Sequence, residues 1–143
     1  MKISTRGRYA LRTMVDLSRH GDGFIPLKDV AARQDISLKY LEQIVTQMSK
    51  AGLLNSVRGP QGGYRLARTP AEYSVAEILQ AIEGSLAPVD CLESDTNPCE
   101  RCDTCATLDL WQGLYKTVTD YLAGITLQDL VDRAERLGSD RVI

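Results

Sequence analysis

A glycine-rich hairpin constrains the fold of this sequence more than any other segment. Two runs with strand character, Leu53–Val57 and Tyr64–Ala67, flank the sequence Arg58-Gly59-Pro60-Gln61-Gly62-Gly63. Glycine tolerates the positive backbone angles that a tight hairpin turn requires. We therefore expect a two-stranded hairpin with cations beside its tip, at Arg58 and Arg65. A plain solvent-exposed hairpin is the alternative interpretation.

Two short helices are predicted directly before the hairpin. Pro26 begins the first, which ends at Gln34, and Ser37 is a good N-cap for the second, which ends near Ala51. Two helices joined by a tight turn are typical of a helix-turn-helix, and a hairpin behind them makes a winged helix. The second helix has an apolar side and a polar side. The predicted apolar side consists of Leu38, Leu41, Ile44, Val45 and Met48, and the other positions carry Lys39, Tyr40, Glu42, Gln43, Thr46, Gln47 and Lys50.

The charge of the chain is divided between its two halves. Residues 1–68 carry twelve Lys and Arg against five Asp and Glu, a formal +7. Residues 69–143 carry five against fourteen, a formal −9. The basic half contains the predicted winged helix and is suited to a polyanion. A protruding Arg58 suits the narrow minor groove, where negative potential is concentrated. We therefore predict double-stranded DNA as a partner.

All the cysteines of the sequence lie in one stretch, at Cys91, Cys99, Cys102 and Cys105. Thiolates gathered this closely favour a soft metal centre. The Cys-x2-Cys-x2-Cys spacing is close to that of ferredoxin iron–sulfur clusters, and the same residues can hold zinc in a four-thiolate site. Disulfides and unbound thiols are further alternatives, although a reducing compartment disfavours disulfides. The stretch has no helical or strand period, which indicates a loop that a metal would order.

The remaining segments predict further helices. Ser74 and Glu77 form a capping box for a helix that ends at Gly84. A longer helix, from Thr107 to Ala123, has an apolar face too wide for the few other elements to cover. It either packs on the winged helix or pairs with its copy in a homodimer, and we favour pairing because readers of palindromic DNA are usually two-fold dimers. The predicted fold is mainly α. Its three segments are a winged-helix DNA-binding domain at 1–84, a cysteine loop at 85–106, and a dimerisation helix with a C-terminal helix at 107–143.

The composition is that of an ordinary globular chain, with 43% hydrophobic and 25% charged residues. There is no apolar run of membrane length and no signal-peptide core at the start, so we expect a cytoplasmic protein without a membrane partner. His20 is the single histidine, and no Ser/His/Asp or Cys/His set can be assembled around it. We therefore predict that the protein is not an enzyme and has no small-molecule substrate.

Several segments match one known family and together cover nearly the whole chain. They are Thr5-Arg6-Gly7-Arg8-Tyr9-Ala10, Ile36–Gln43, Ser56–Leu66, the three cysteines at 91, 99 and 105, Trp111, and Ile125-Thr126-Leu127. In these segments the sequence resembles the winged-helix repressors of the Rrf type, and most closely their iron–sulfur cluster regulator branch, IscR. The hairpin motif is specific to the family, and the three cysteines separate its cluster-binding members from cysteine-metabolism repressors of the same fold.

The resemblance implies a homodimeric transcription regulator, commonly of cluster-assembly genes, that holds an iron–sulfur cluster at Cys91, Cys99 and Cys105. A 2Fe–2S cluster is favoured, and 4Fe–4S remains open. It also implies that the second helix of the helix-turn-helix reads the major groove while the hairpin tip enters the minor groove. The predicted DNA-binding residues are Lys39, Tyr40, Glu42, Gln43, Arg58, Gly59, Pro60 and Gln61.

The fourth cluster ligand departs from the family pattern. Several members of the branch have a histidine three residues after the last cysteine, where this chain has Leu108. A nitric-oxide-sensing branch uses an acidic residue near the start, where this chain has Arg8. Either Cys102 completes the site, or an Asp, a Glu or a water from the partner subunit does so. The alternative function is a zinc- or thiol-switch repressor of the same fold.

Overall fold

The computed structural model describes residues 1–138, which form six α-helices and one two-stranded antiparallel sheet. The mainly helical winged helix-turn-helix predicted from the sequence is confirmed, and residues 139–143 of the last predicted segment lie outside the described residues. The helices are α1 (Thr5–Arg19), α2 (Leu27–Gln34), α3 (Leu38–Lys50), α4 (Val75–Glu83), α5 (Leu108–Ala123) and α6 (Leu127–Leu137). The strands are β1 (Leu54–Val57) and β2 (Gly63–Leu66), and Pro70–Glu72 and Asp90–Leu92 form short 3-10 turns.

Side-chain hydroxyls cap the starts of four helices. Ser4, Ser37 and Ser74 each accept a hydrogen bond from the backbone N–H three residues further on, at 3.1–3.2 Å. Thr126 and Asp129 exchange both bonds of a capping box, at 3.1 and 2.9 Å. Such caps satisfy N–H groups that the helix itself leaves without a partner, and each contributes about 1 kcal/mol. The N-cap predicted at Ser37 is confirmed.

The capping box predicted for α4 forms only in half. Ser74 caps the N–H of Glu77, but the Glu77 carboxylate pairs with Arg68 Nη2 at 2.6 Å. The hydrogen bond with the Glu77 carboxylate is also the largest cause that raises the pKa of Arg68. The Arg68 guanidinium is a stronger hydrogen-bond partner for the Glu77 carboxylate than the backbone N–H of Ser74, because it is charged. Glu77 therefore joins α4 to the chain that follows the hairpin.

Five helices, α1 to α4 and α6, enclose the main hydrophobic core. α3 buries Leu41, Ile44, Val45 and Met48 completely. The last helix shares this core, since α6 contributes Leu127, Val131 and Ala134 beside residues of α1. The three segments proposed from the sequence therefore do not pack as three separate bodies, and their functional boundaries remain a prediction.

The wing, here defined as β1, β2 and the turn between them, is built on close backbone contacts. Leu54 pairs with Leu66 and Val57 with Gly63. An isolated β-bridge beside the wing was not predicted: Ile25 and Tyr64 exchange two backbone hydrogen bonds of 2.9 Å. A Cβ atom on Gly63 would lie 2.1 Å from the Ile25 carbonyl oxygen, so only glycine fits there. This contact ties the wing to the segment that leads into α2.

Tyr73 joins the root of the wing to the core. Its side chain is fully buried, and its hydroxyl donates to the Leu53 carbonyl at 2.7 Å. The same oxygen accepts from the backbone N–H groups of Ala67 and Arg68, at 2.9 and 3.0 Å. One hydroxyl therefore holds both the start and the end of the hairpin.

Leu38 does not belong to the buried side of α3, and the prediction that it does was wrong. It is 43% exposed, whereas the other four residues of that side are fully buried. Leu38 is the first residue of α3 and does not pack against the core cluster. Helical spacing gives it the right direction, but the helix begins beyond the edge of the core.

We predict that Tyr73→Phe lowers the free energy of unfolding by about 1–3 kcal/mol, because it leaves buried backbone groups of the hairpin without their partner. Urea denaturation with equal slopes for variant and parent measures this difference.

Tyr64→Phe is the matched control. The Tyr64 ring also packs on the core, but its hydroxyl makes no hydrogen bond within the described part of the chain. We expect a change within about 0.5 kcal/mol for this variant. Equal stability of the Tyr73 and Tyr64 variants would contradict the role given to the Tyr73 hydroxyl.

Candidate DNA-binding surface and metal centre

The outer side of α3 presents polar side chains to solvent. Three of the residues predicted to bind DNA lie there and are exposed: Lys39, Glu42 and Gln43. Thr46 and Lys50 continue the same exposed surface toward the end of the helix. Because the opposite side is buried in the core, α3 can insert its polar side into a DNA groove without losing its packing.

Tyr40 is held from behind by α1. Its ring meets the ring of Tyr9 edge-on, with centroids 5.7 Å apart and planes at 85°. The Arg12 guanidinium lies 4.9 Å above the Tyr9 ring and also donates to the backbone carbonyl and side chain of Gln34. Aromatic pairs of this geometry add about 0.5–1.5 kcal/mol beyond their buried area. Tyr40 is therefore fixed in orientation at the edge of the polar surface.

Gln47 does not face outward, as its place on the polar side of α3 had suggested. Its amide nitrogen donates to the carbonyl oxygens of Ala81 and Ile82, at 3.0 and 3.2 Å. Its amide oxygen accepts from Arg6. These carbonyls lie in the last turn of α4, which a helix leaves without internal partners. Gln47 thus joins α3, the helix predicted to read the major groove, to the end of α4.

A buried carboxylate fixes the angle between α1 and α2. Asp16 is 1% exposed and receives two hydrogen bonds from Arg33, at 2.7 and 2.9 Å. Gln34 donates a third at 2.9 Å. His20 Nδ1 lies 2.8 Å from the Asp16 backbone carbonyl, so the single histidine belongs to this structural group. A buried charge paired in this way is costly to disrupt from one side.

The tip of the wing is exposed at Arg58, Gly59, Pro60 and Gln61, the other residues predicted to bind DNA. A 2.9 Å hydrogen bond from Gly62 N–H to the Gly59 carbonyl closes the turn. The two arginines beside the tip differ, since the Arg65 guanidinium lies 4.4 Å above the Phe24 ring. Arg65 is therefore placed at the base of the wing, and Arg58 is the cation of the tip.

The cysteines lie in a loop with little regular structure between α4 and α5. Cys91 and Cys102 are half-buried, Cys99 and Cys105 are exposed, and all four are free thiols. Cys102 N–H donates to the Cys99 carbonyl at 3.2 Å, which closes a turn between two of them. The donor chemistry fits an iron–sulfur or zinc centre. Within residues 1–138, however, no three Cys, His, Asp or Glu side chains lie close enough together to hold a metal ion.

Two of the thiols differ in acidity. Partial desolvation, and then the neighbouring Asp103 carboxylate, raise the pKa of the Cys102 thiol. Hydrogen bonding with Thr107, whose hydroxyl lies 3.4 Å from the sulfur, lowers the pKa of Cys105. The thiolate is the form that binds a metal. Cys105 is therefore closer to its ligand form than Cys102.

α5 follows the last cysteine and leaves much of its apolar surface uncovered. None of its residues is buried. Tyr115 and Leu122 pack on a small cluster formed with α4, whereas Leu110, Leu114 and Tyr121 are 60%, 38% and 68% exposed. No helix of residues 1–138 is long and apolar enough to cross a membrane. The uncovered face of α5 is suited to another protein surface.

Known proteins share this arrangement. Residues 3–133 match the Rrf2 family, described as iron-dependent transcriptional regulators. The HTH-type transcriptional regulator IscR of Xenorhabdus nematophila is 39% identical over 148 residues, which cover 99% of this chain and 89% of the relative. The structure of T. potens IscR is 39% identical, with a TM-score of 0.77 over 96% of this chain and 90% of its own.

A second similar structure is that of a protein described as a cysteine regulator. CymR, the global cysteine regulator of B. subtilis, is 37% identical, with a TM-score of 0.74 over 93% of this chain and 98% of its own. The similarity of this chain to these proteins, in sequence and in structure, extends over nearly their full length. The chain therefore belongs to the Rrf2 family of DNA-binding transcriptional regulators.

Proposed function

We propose that this protein is a homodimeric regulator whose binding to operator DNA is controlled by an iron–sulfur cluster. The observation that carries the proposal is the position of four free cysteines in one loop between the winged helix and an uncovered apolar helix. The family description and the IscR relatives support iron as the metal. We propose genes of cluster assembly or of iron and redox homeostasis as the targets.

We assign the reading of DNA to α3 and the tip of the wing. The exposed polar side of α3 suits the major groove, with Lys39, Glu42 and Gln43 as base-contacting residues and Tyr40 at their edge. Arg58 and the turn from Gly59 to Gln61 suit the adjacent minor groove. Both elements belong to the half of the chain with a formal charge of +7, which favours contact with phosphates.

We assign Cys91, Cys99 and Cys105 as cluster ligands and Cys102 as the candidate for the fourth. Leu108 begins α5 and has no donor atom, so it cannot take the place of a ligand. Cys102 lies inside the loop, three residues from Cys99 and three from Cys105. A bound cluster supplies redox sensitivity at the loop, and four thiolates make the site more negative than three with a neutral histidine.

A contact path connects the loop with α3. The loop begins directly after α4, and the last turn of α4 is held by Gln47 of α3. Ordering the loop therefore acts on the end of α4 and, through that hydrogen bond, on the recognition helix. This path is a physical route by which the state of the cysteines alters DNA binding.

A thiol switch on the same fold is the second candidate. It is favoured by the free thiols, by the turn that brings Cys99 and Cys102 together, and by the likeness to a cysteine regulator. Zinc in the same thiolates is a further version of this candidate. Protein purified without oxygen separates these functions, because a cluster gives visible absorption and iron with sulfide, whereas zinc or free thiols give a colourless protein.

Single Cys→Ser variants test the ligand set. After reconstitution without oxygen, we expect the variants of Cys91, Cys99 and Cys105 to lose the visible absorption and most of the iron and sulfide. Cys102→Ser should lose or clearly shift the spectrum if Cys102 is the fourth ligand. Ser94→Ala, in the same loop and exposed, is the control and should keep the full cluster. Full retention in a variant of Cys91, Cys99 or Cys105 would remove that residue from the set.

Arg58→Ala tests the wing. We expect it to weaken binding to an operator by about 1–3 kcal/mol and to reduce the difference between specific and non-specific DNA. Arg65→Ala removes the same charge from the base of the wing and should change that difference by less than about twofold. Titrations at several salt concentrations separate phosphate contacts from groove contacts, because only ion release gives a steep salt dependence. Unchanged specific binding by Arg58→Ala would exclude the tip as a reader.

Leu114→Asp tests the dimer. A charge on the uncovered face of α5 would be buried without a partner on pairing, so we expect a dimeric parent and a monomeric or aggregated variant at micromolar concentration. Gln112→Asp places the same charge on roughly the opposite side of α5, since two residues turn the helix by about 200°. This variant should remain dimeric. Sedimentation velocity measures both. A monomeric parent contradicts the proposed pairing.

A further inference from the structure

The exposed large apolar side chains of the described residues fall into few places. Leu110, Leu114 and Tyr121 lie on α5, where we propose the dimer contact, and Met1 and Leu137 lie near the two ends of residues 1–138. The two that remain, Leu38 and Val57, are 43% and 49% exposed. Leu38 begins α3, to which we assign the major groove, whereas Val57 ends β1 and lies outside the turn that we assign to the minor groove. A single exposed leucine is ordinary on a protein surface. At the start of α3, however, an exposed leucine can serve to contact DNA.

Leu38 is positioned to reach into a groove. Leu38 is the first residue of α3 and directly follows the N-cap Ser37. Because residues four apart are neighbours on the surface of a helix, Leu38 lies next to Glu42. Lys39 and Glu42 are also exposed, so an apolar side chain sits among charged ones. In helix-turn-helix proteins the first residues of the recognition helix contact the base edges.

The DNA major groove offers one kind of apolar group, the C5-methyl of thymine. We propose that Leu38 is a specificity-determining residue that contacts a thymine methyl group in each half-site. This inference rests on the proposed function, because it requires α3 to lie in the major groove. It assigns to Leu38 a preference for thymine that the polar side chains of α3 do not provide.

The probe is a duplex enriched by the full-length protein, purified without oxygen, from a random-sequence library. The two thymidines that occupy equivalent positions in the two half-sites are replaced together by deoxyuridine, which lacks only the methyl group. One such set of positions is replaced at a time. We expect one such position to weaken binding about fourfold per half-site, the effect of one buried methyl-sized group. Leu38→Ala should bind the thymine duplex more weakly by a similar factor and should not distinguish thymine from uracil at that position.

Val57→Ala is the matched control, since it truncates the other exposed large apolar residue, which lies in β1 outside the residues to which we assign DNA contact. It should keep the full thymine preference of the parent. Because Leu38 lies outside the core, Leu38→Ala should also keep the melting temperature of the parent. The coupling between the Leu38 change and the methyl deletion, measured as a double-mutant cycle, reports their contact directly.

The outcomes separate this inference from the proposed function. If the library yields no enriched sequence, sequence-specific reading by the protein is wrong and the inference is overturned with it. If an enriched duplex binds but no uracil position weakens binding, the inference alone is overturned. The same conclusion follows if Leu38→Ala keeps the thymine preference of the parent.

Discussion

Tyr73 lies where the wing, the start of α4 and the start of α6 meet, and the placement of the candidate DNA-binding surface depends on its hydroxyl. It bonds to Leu53 at the start of the hairpin and to Ala67 and Arg68 at its end. On the other side of the wing, Gly63 admits the backbone of Ile25 at a distance that no side chain would allow. A two-stranded hairpin alone is marginally stable in water. Held at both places, it can keep its exposed tip at a fixed distance from α3.

Local patterns were sufficient to predict the order of the elements and most of the surface. The helix-turn-helix follows from apolar spacing and the Ser37 cap, and the wing follows from its glycines. The errors arose where a neighbour in space decides the outcome. Gln47 has the sequence position of a DNA-facing residue but bonds to α4, and Leu38 has the direction of a core residue but extends past the core. The bridge between Ile25 and Tyr64 joins residues too far apart in sequence for a local pattern to show it.

The cysteine loop shows a different limit of prediction. Residue type and spacing predict its chemistry, because thiols at intervals of three are suitable ligands for a soft metal. They do not predict the positions of the four sulfur atoms, since a loop without helical or strand pairing has few contacts to define it. In the described residues the thiols do not converge on a metal site. Binding energy from a metal is the natural source of order for such a segment, just as it is for small metal-dependent domains.

Two backbone contacts confine any change in that loop. Tyr73 and Val75 bond to Leu127 and Ile125 across a bridge, at 3.0 and 2.8 Å. α4, the cysteine loop and α5 therefore form one excursion of the chain whose two ends are held together beside Tyr73. The root of the wing lies on the closed side of this bridge and is joined to α4 through the ion pair of Arg68 and Glu77. In the proposed function, a rearrangement of the loop acts on α4, which Gln47 connects to α3, and on α5, whose uncovered face we propose as the dimer contact. In that proposal, the chain order directs a change at the thiols toward the two surfaces that α4 and α5 adjoin, the polar side of α3 and the uncovered face of α5.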